Sequence, residues 1–249
     1  MTQNFKNQNR SLSLAAIGSK AIQRFQMGKG VRTSVFLSTF VLVAVLFTAC
    51  VDLDRGNETI AGKGPVVTAD YDISLFKSIH SAIGANVNII EAEHPRVSVS
   101  MQENLFQYLT VKNEGDNLSF SFGNRTIQSA QLVVIDVYTP NVEKFHLTGA
   151  GVILSDLPVK EIHVSGSGGF RFKGASEEVL VNVSGVAEVN LFDMPVNKAD
   201  IRIAGSATVR VHVAQTLNVF ISGVGNIYYK GNPTISQTVS GVGNIEKVD

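Results

Sequence analysis

The sequence predicts an all-β chain wound as a parallel β-helix, and three observations predict it. The hexamer SGVGNI occurs twice, at 222–227 and 240–245. Both copies belong to a longer series of glycines, Gly149, Gly166, Gly185, Gly205, Gly223 and Gly241, spaced 17, 19, 20, 18 and 18 residues apart. Around each glycine apolar and polar residues alternate, the period of a half-buried strand. Two residues before it stand Leu147, Val164, Val183, Ile203, Ile221 and Val239; two after it, Gly151, Gly168, Ala187, Ala207, Gly225 and Gly243. Antiparallel hairpins also alternate, but they need no glycine at one fixed phase. Stacked coils do, wherever a larger side chain would collide with the coil above or below. A repeat of this length suits one solenoid turn of three short strands and three bends. A twisted β-sandwich or meander is the rival reading of the same alternation.

Along the chain, the elements follow in order. Residues 1–49 hold Lys6, Arg10, Lys20, Arg24, Lys29 and Arg32 and no acid. They close on VFLSTFVLVAVLFTAC (35–50), apolar almost throughout. A basic flank, an apolar run too short for an ordinary membrane span and small residues before Cys50 make a secretory signal. Starting at Met27 instead of Met1 gives it an ordinary length. FTAC resembles a bacterial lipobox, which implies acylation of Cys50, the only cysteine in the chain. Two or more long acyl chains hold a protein on a membrane almost permanently. The expectation is an outer-membrane lipoprotein, periplasmic or surface-exposed, with an uncleaved anchor as the rival reading. Residues 50–69 read as a polar, glycine-containing tether.

Residues 70–249 form the body. From 50 onward the chain has 15 basic and 21 acidic residues, a net charge of −6. A mildly acidic body gives no support for nucleic-acid binding. A lone cysteine excludes an internal disulfide, so packing and backbone pairing carry the stability. Up to 145 the pattern is β-like but irregular. ANVNII (85–90) and RVSVSM (96–101) alternate around a turn, LTVKNEGDNLSFSF (109–122) reads as a hairpin, and QLVVIDVYT (131–139) as a strand stopped by Pro140. ENLFQYL (103–109) fits a helical turn or a strand equally well. SAIGANVNI (81–89) faintly resembles the later units, which puts the first coils here, interrupted by hairpins.

Taken together, FKSIHSAIGANVNI (76–89), PNVEKFHLTGAG (140–151), VSGSGGF (164–170) and the doubled SGVGNI resemble the auto-transporter adhesin head domain family called GIN. The resemblance covers about 70–247. It implies a right-handed β-helix and an adhesive role at the cell envelope. It brings no catalytic residues and no defined receptor.

Outward positions after each corner carry Arg171 and Lys173, Asn190 and Phe192, Arg210 and His212, Tyr228 and Lys230. If the phase holds they form one strip able to attract an acidic glycan or stack on sugar rings; the competing reading is a solvated sheet face. No acid recurs on the strip before Glu246, so the paired carboxylates of glycoside hydrolysis are missing. His146 and His163 share one phase, three residues before the glycine, and stack on adjacent coils. The next coils offer Asn182, Arg202 and Phe220 there, short of the three or four ligands of a zinc site. No metal, cofactor or catalytic residue is expected. Asp156, Asp193 and Asp200 read as turn caps, and the Asn226/Asn244 pair as a structural ladder. The resulting expectation is a non-catalytic, lipid-anchored adhesin for glycan or protein. The alternatives are a structural protein that self-associates end to end and, further off, an enzyme acting on polysaccharide.

Overall fold

The structure is a computed structural model that describes residues 58–249. Cys50, the signal and the start of the tether lie outside these residues. The N-terminal part comprises β1 (Glu58–Ala61), β2 (Val66–Asp72), β3 (Ser78–Ser81), β4 (Asn86–Glu91) and β5 (Arg96–Gln102). After a 3-10 turn at Glu103–Tyr108 come β6 (Thr110–Glu114), β7 (Asn117–Ser121), β8 (Arg125–Gln128) and β9 (Val134–Thr139). The regular part comprises β10 (Lys144–Leu147), β11 (Ala150–Ser155), β12 (Glu161–Val164), β13 (Ser167–Phe172) and β14 (Ser176–Val183). It ends with β15 (Val186–Ile203), β16 (Ser206–Ile221), β17 (Val224–Lys230), β18 (Thr234–Val239) and β19 (Val242–Lys247).

Nearly all of it is β, wound as a parallel solenoid of about five turns. Along one face, β3, β10, β12, β14, the end of β15, the end of β16 and β18 pair in parallel. The start of β15 and of β16 stack with β4, β11, β13, β17 and β19 along the other. Residues one repeat apart are partners, so Leu147, Val164, Val183, Ile203 and Ile221 form one buried inner column and Phe145, Ile162, Val181, Ile201 and Val219 another. Burying an aliphatic side chain of this size contributes about 1.5–3 kcal/mol. Two such columns therefore contribute strongly to the cohesion of the coils, beside the column Ile153, Phe170, Val189, Val209 and Ile227 of the other sheet.

The glycine corners are identical in their backbone bonding. Ser184 and Gly185 N–H both donate to the Val164 carbonyl, at 2.8 and 3.1 Å, and Ser206 N–H donates to the Gly185 carbonyl at 2.9 Å. Ala204 and Gly205 repeat this on Val183, Ser222 and Gly223 on Ile203, and Ser240 and Gly241 on Ile221. The hydroxyls of this corner do not chain to one another. Ser184 and Ser240 reach back only weakly, 3.4 and 3.5 Å, to carbonyls of the preceding coil.

The irregular half follows the predicted strands but not a sequential order. The hairpin is β6–β7, with Glu114 opposite Asn117 and Gly115 at φ 54° in the two-residue turn. β9 inserts between β4, which it meets in parallel, and β5, which it meets antiparallel. ENLFQYL is the 3-10 turn, and its Leu105 is buried. The expected tether contains β1, which pairs with β8, and the start of β2, which lies antiparallel along β5. Neither segment has a strong apolar stripe of its own. Their strand state comes from the edges they lie on, a tertiary effect that local pattern does not carry.

Candidate functional site

Alternation along each strand divides the side chains between the core and two outer faces. On the face of β11, β13 and β17, Arg171, Asn190, Arg210 and Tyr228 are partners on successive coils, with Glu246 next in line. His212 pairs with Lys230 two positions on. The Arg210 guanidinium lies 5.7 Å from the centre of the Tyr228 ring, and the Lys230 ammonium 5.1 Å from that of Phe192. Arg171, Phe192, Arg210, His212, Tyr228 and Lys230 thus share one rigid face, with Lys173 at its margin.

Two acids that the sequence did not connect to this face sit against it. Glu188, one column over, pairs with Arg210 at 2.6 Å, and Asp156 on the preceding coil pairs with Lys173 at 2.7 Å. Asp156 is thus a partner for a cation, and Asp200 is not at a bend at all: it lies within β15 and pairs with Arg202 at 2.9 Å. Among the described residues Arg171 has no ion-pair partner. It borders a concavity of about 380 Å³ with Asn88, Leu154, Asp156 and Lys173. Asn226 and Asn244 are partners on adjacent coils, and the Asn244 amide donates to Glu246 on its own strand at 3.3 Å.

On the outer face of the β3–β10–β12 ladder the structure adds a residue to the histidine pair. His80 of β3 is the partner of His146, which is in turn the partner of His163. The expectation of only two histidines at this phase is therefore corrected to three, on consecutive coils. The ring centroids are 6.3 Å apart between His80 and His146 and 4.5 Å apart between His146 and His163. Aligning SIHS (78–81) with KFHL (144–147) would have found it, but Ile83 rather than a glycine stands at the corner of that first coil. His80 Nε2 is 3.0 Å from Thr148 Oγ1, and His163 Nε2 is 3.3 Å from Glu161 Oε2. Lys144 Nζ holds the other oxygen of Glu161 at 2.8 Å. That hydrogen bond, chiefly, holds the Glu161 carboxyl below the usual carboxylate range, with a smaller contribution from His163. Burial, and then the neighbouring His163 and His80, pull His146 below the ordinary imidazole value. These side chains line a concavity of about 680 Å³ that also reaches Lys77, Asp116 and Glu143.

A family model described as "Putative auto-transporter adhesin, head GIN domain" matches residues 75–162 and 156–233. Among solved structures, a putative adhesin from Bacteroides fragilis NCTC 9343 is similar over 76% of this chain and 100% of its own, with 18% identity and a TM-score of 0.60. A putative lipid binding protein from Parabacteroides distasonis ATCC 8503 is similar over 77% of this chain and 100% of its own, with 23% identity and a TM-score of 0.47. At 18% identity the likeness to the first is one of fold. No curated protein matches.

Proposed function

The chain belongs to the adhesin head GIN domain family, and from that premise we propose that it is a non-catalytic protein of the cell envelope whose solenoid presents a contact surface. Acylation of Cys50 tethers it to the outer membrane, on the periplasmic or the outer side. Mass analysis of the mature N-terminus reads that modification directly.

The contact surface is the strip Arg171, Lys173, Phe192, Arg210, His212, Tyr228 and Lys230, and its ligand is an acidic glycan. One observation carries this reading: the register that lines up Arg171, Asn190, Arg210 and Tyr228 on successive coils of one sheet face. Guanidinium groups recognise carboxylate or sulfate, and the Tyr228 and Phe192 rings offer apolar faces for sugar. Glu188 and Asp156 already offset Arg210 and Lys173. The strip is therefore only moderately cationic, and binding should depend on ring stacking as well as charge. The test is a glycan array probed with the protein and with an Arg171→Ala, Arg210→Ala, Tyr228→Ala variant. Acidic glycans should be retained by the first and lost by the second; unchanged binding overturns the strip.

A second reading is favoured by the final coil. Among the described residues β18 and β19 pair only inward, with β16 and β17, and Ile235, Val239 and Val242 are exposed there. An unpaired edge beside exposed aliphatic residues favours self-association through this end.

A further inference from the structure

We infer that the ligand of the strip is a linear polysaccharide carrying a carboxylate on every second sugar and lying across the coils. This rests on the strip being the contact surface, and adds the pattern of charge that the surface selects.

Cations on this face alternate with a neutral residue from coil to coil. Arg171 is the partner of Asn190, and Asn190 of Arg210. Two coil steps therefore separate the two arginine positions, a distance of roughly 9.6 Å. A disaccharide in an extended chain advances by a similar length, so carboxylates on alternate sugars meet Arg171 and Arg210 in turn. The coil between them suits the neutral sugar. Asn190 Oδ1 accepts the Phe192 backbone N–H at 3.2 Å. That contact fixes the amide and leaves its N–H groups to donate to a hydroxyl or an acetamide. Phe192 stands two residues along the same strand and so on the same face, where its ring offers an apolar surface to a sugar. Glu188 belongs to that coil too, and its carboxylate opposes a second acid there.

Both guanidinium groups have donors to give. Among the described residues Arg171 has no ion-pair partner. Arg210 gives one terminal nitrogen to Glu188 at 2.6 Å and keeps its other N–H donors. Acids bound the column at either end. Upstream of Arg171 it runs through Leu154 and Asn88 to Asp136, and downstream of Tyr228 it reaches Glu246. From Leu154 to Tyr228 the contact stretch spans roughly 19 Å, the length of about four sugars.

Calorimetric titration of the full chain with two oligosaccharide series tests this. Hyaluronan oligosaccharides carry a carboxylate on every second sugar, and oligogalacturonates carry one on every sugar. The hyaluronan tetrasaccharide should bind about tenfold more tightly than the disaccharide, because it reaches both arginines. It should also bind about fivefold or more tightly than the galacturonate of equal length, whose extra carboxylates face Glu188. Asn190→Arg, which puts a cation on the middle coil, should reverse that preference, with the urea midpoint checking that the variant is folded. Equal affinities for the two tetrasaccharides, or an unchanged ratio in folded Asn190→Arg, overturn the alternation and leave the adhesive strip standing. So does absence of hyaluronan binding while other acidic glycans are retained through the strip. If neither series binds and the triple alanine variant leaves the glycan-array pattern unchanged, the strip itself falls and this inference with it.

Discussion

The carbonyl oxygen of Gly166 occupies the space in which a side chain on Gly185 would begin. A Cβ built there would also lie 2.6 and 2.7 Å from the Ser165 carbonyl oxygen and carbon, distances that side chains do not tolerate. Gly205 stands in the same relation to Gly185, and Gly223 to Gly205. These corner glycines are needed for close approach, not for a left-handed φ, since none of the three is among the positive-φ residues.

Two alanine substitutions separate these roles. Gly185→Ala must push two coils apart at a point where both partners are backbone. It should cost at least about 1–3 kcal/mol, the range for overpacking that forces backbone shifts. At Gly225 the nearest atoms a new Cβ meets are all side-chain atoms, the Cδ1 of Ile203 and Ile221 at 2.9 and 3.0 Å and Ile221 Cγ1 at 3.3 Å, and Ala207 already fills the same phase one coil earlier. Gly225→Ala should therefore cost less than about 1 kcal/mol. Urea unfolding of the two variants checks the contrast; equal losses would mean that the corner is not held by backbone contact.

What could be read from the residues alone follows from the same steric rule. Wherever coils stack backbone to backbone only glycine fits, so Gly149 to Gly241 mark the phase and fix which neighbours face inward and outward. The outward strip followed from that phase. Legibility ended where the marker was missing. Ile83 takes the corner in the first coil, so no glycine marks the alignment of His80 with His146. Glu188 sits beside Arg210 although 22 residues separate them, and only the coil-to-coil offset brings them together. β9 lies between β4 and β5, a non-sequential order set by which edges are free and invisible in local alternation.

Ser81 offers a stabilising change. It sits in the inner column between Phe120 and Leu147, fully buried, and its Oγ has no hydrogen-bond partner. A buried hydroxyl left unsatisfied costs about 1–3 kcal/mol. Ser81→Ala removes the hydroxyl without enlarging the side chain and should raise the urea midpoint, corresponding to a gain of about 1 kcal/mol. A lowered midpoint would mean that the hydroxyl is bonded in solution.

The last coil sets the limits of self-association. Ile235, Val239 and Val242 are 37%, 42% and 70% exposed, and Phe220 and Val224 on the preceding coil are 47% and 49% exposed. The outer edges of β18 and β19 present backbone donors and acceptors beside this apolar surface. A two-fold axis at this end would set β18 or β19 antiparallel to its own copy in a second chain, a closed isologous contact. Light scattering on the anchor-free body should give a dimer at micromolar concentration. Val239→Asp with Val242→Lys should return it to monomer, since charged side chains on an edge oppose strand addition. Growth into open fibres instead would point to a head-to-tail contact with the β2 and β6 edges. A protein that stays monomeric at every concentration would remove the end-to-end reading and leave the outward strip as the contact surface of the molecule.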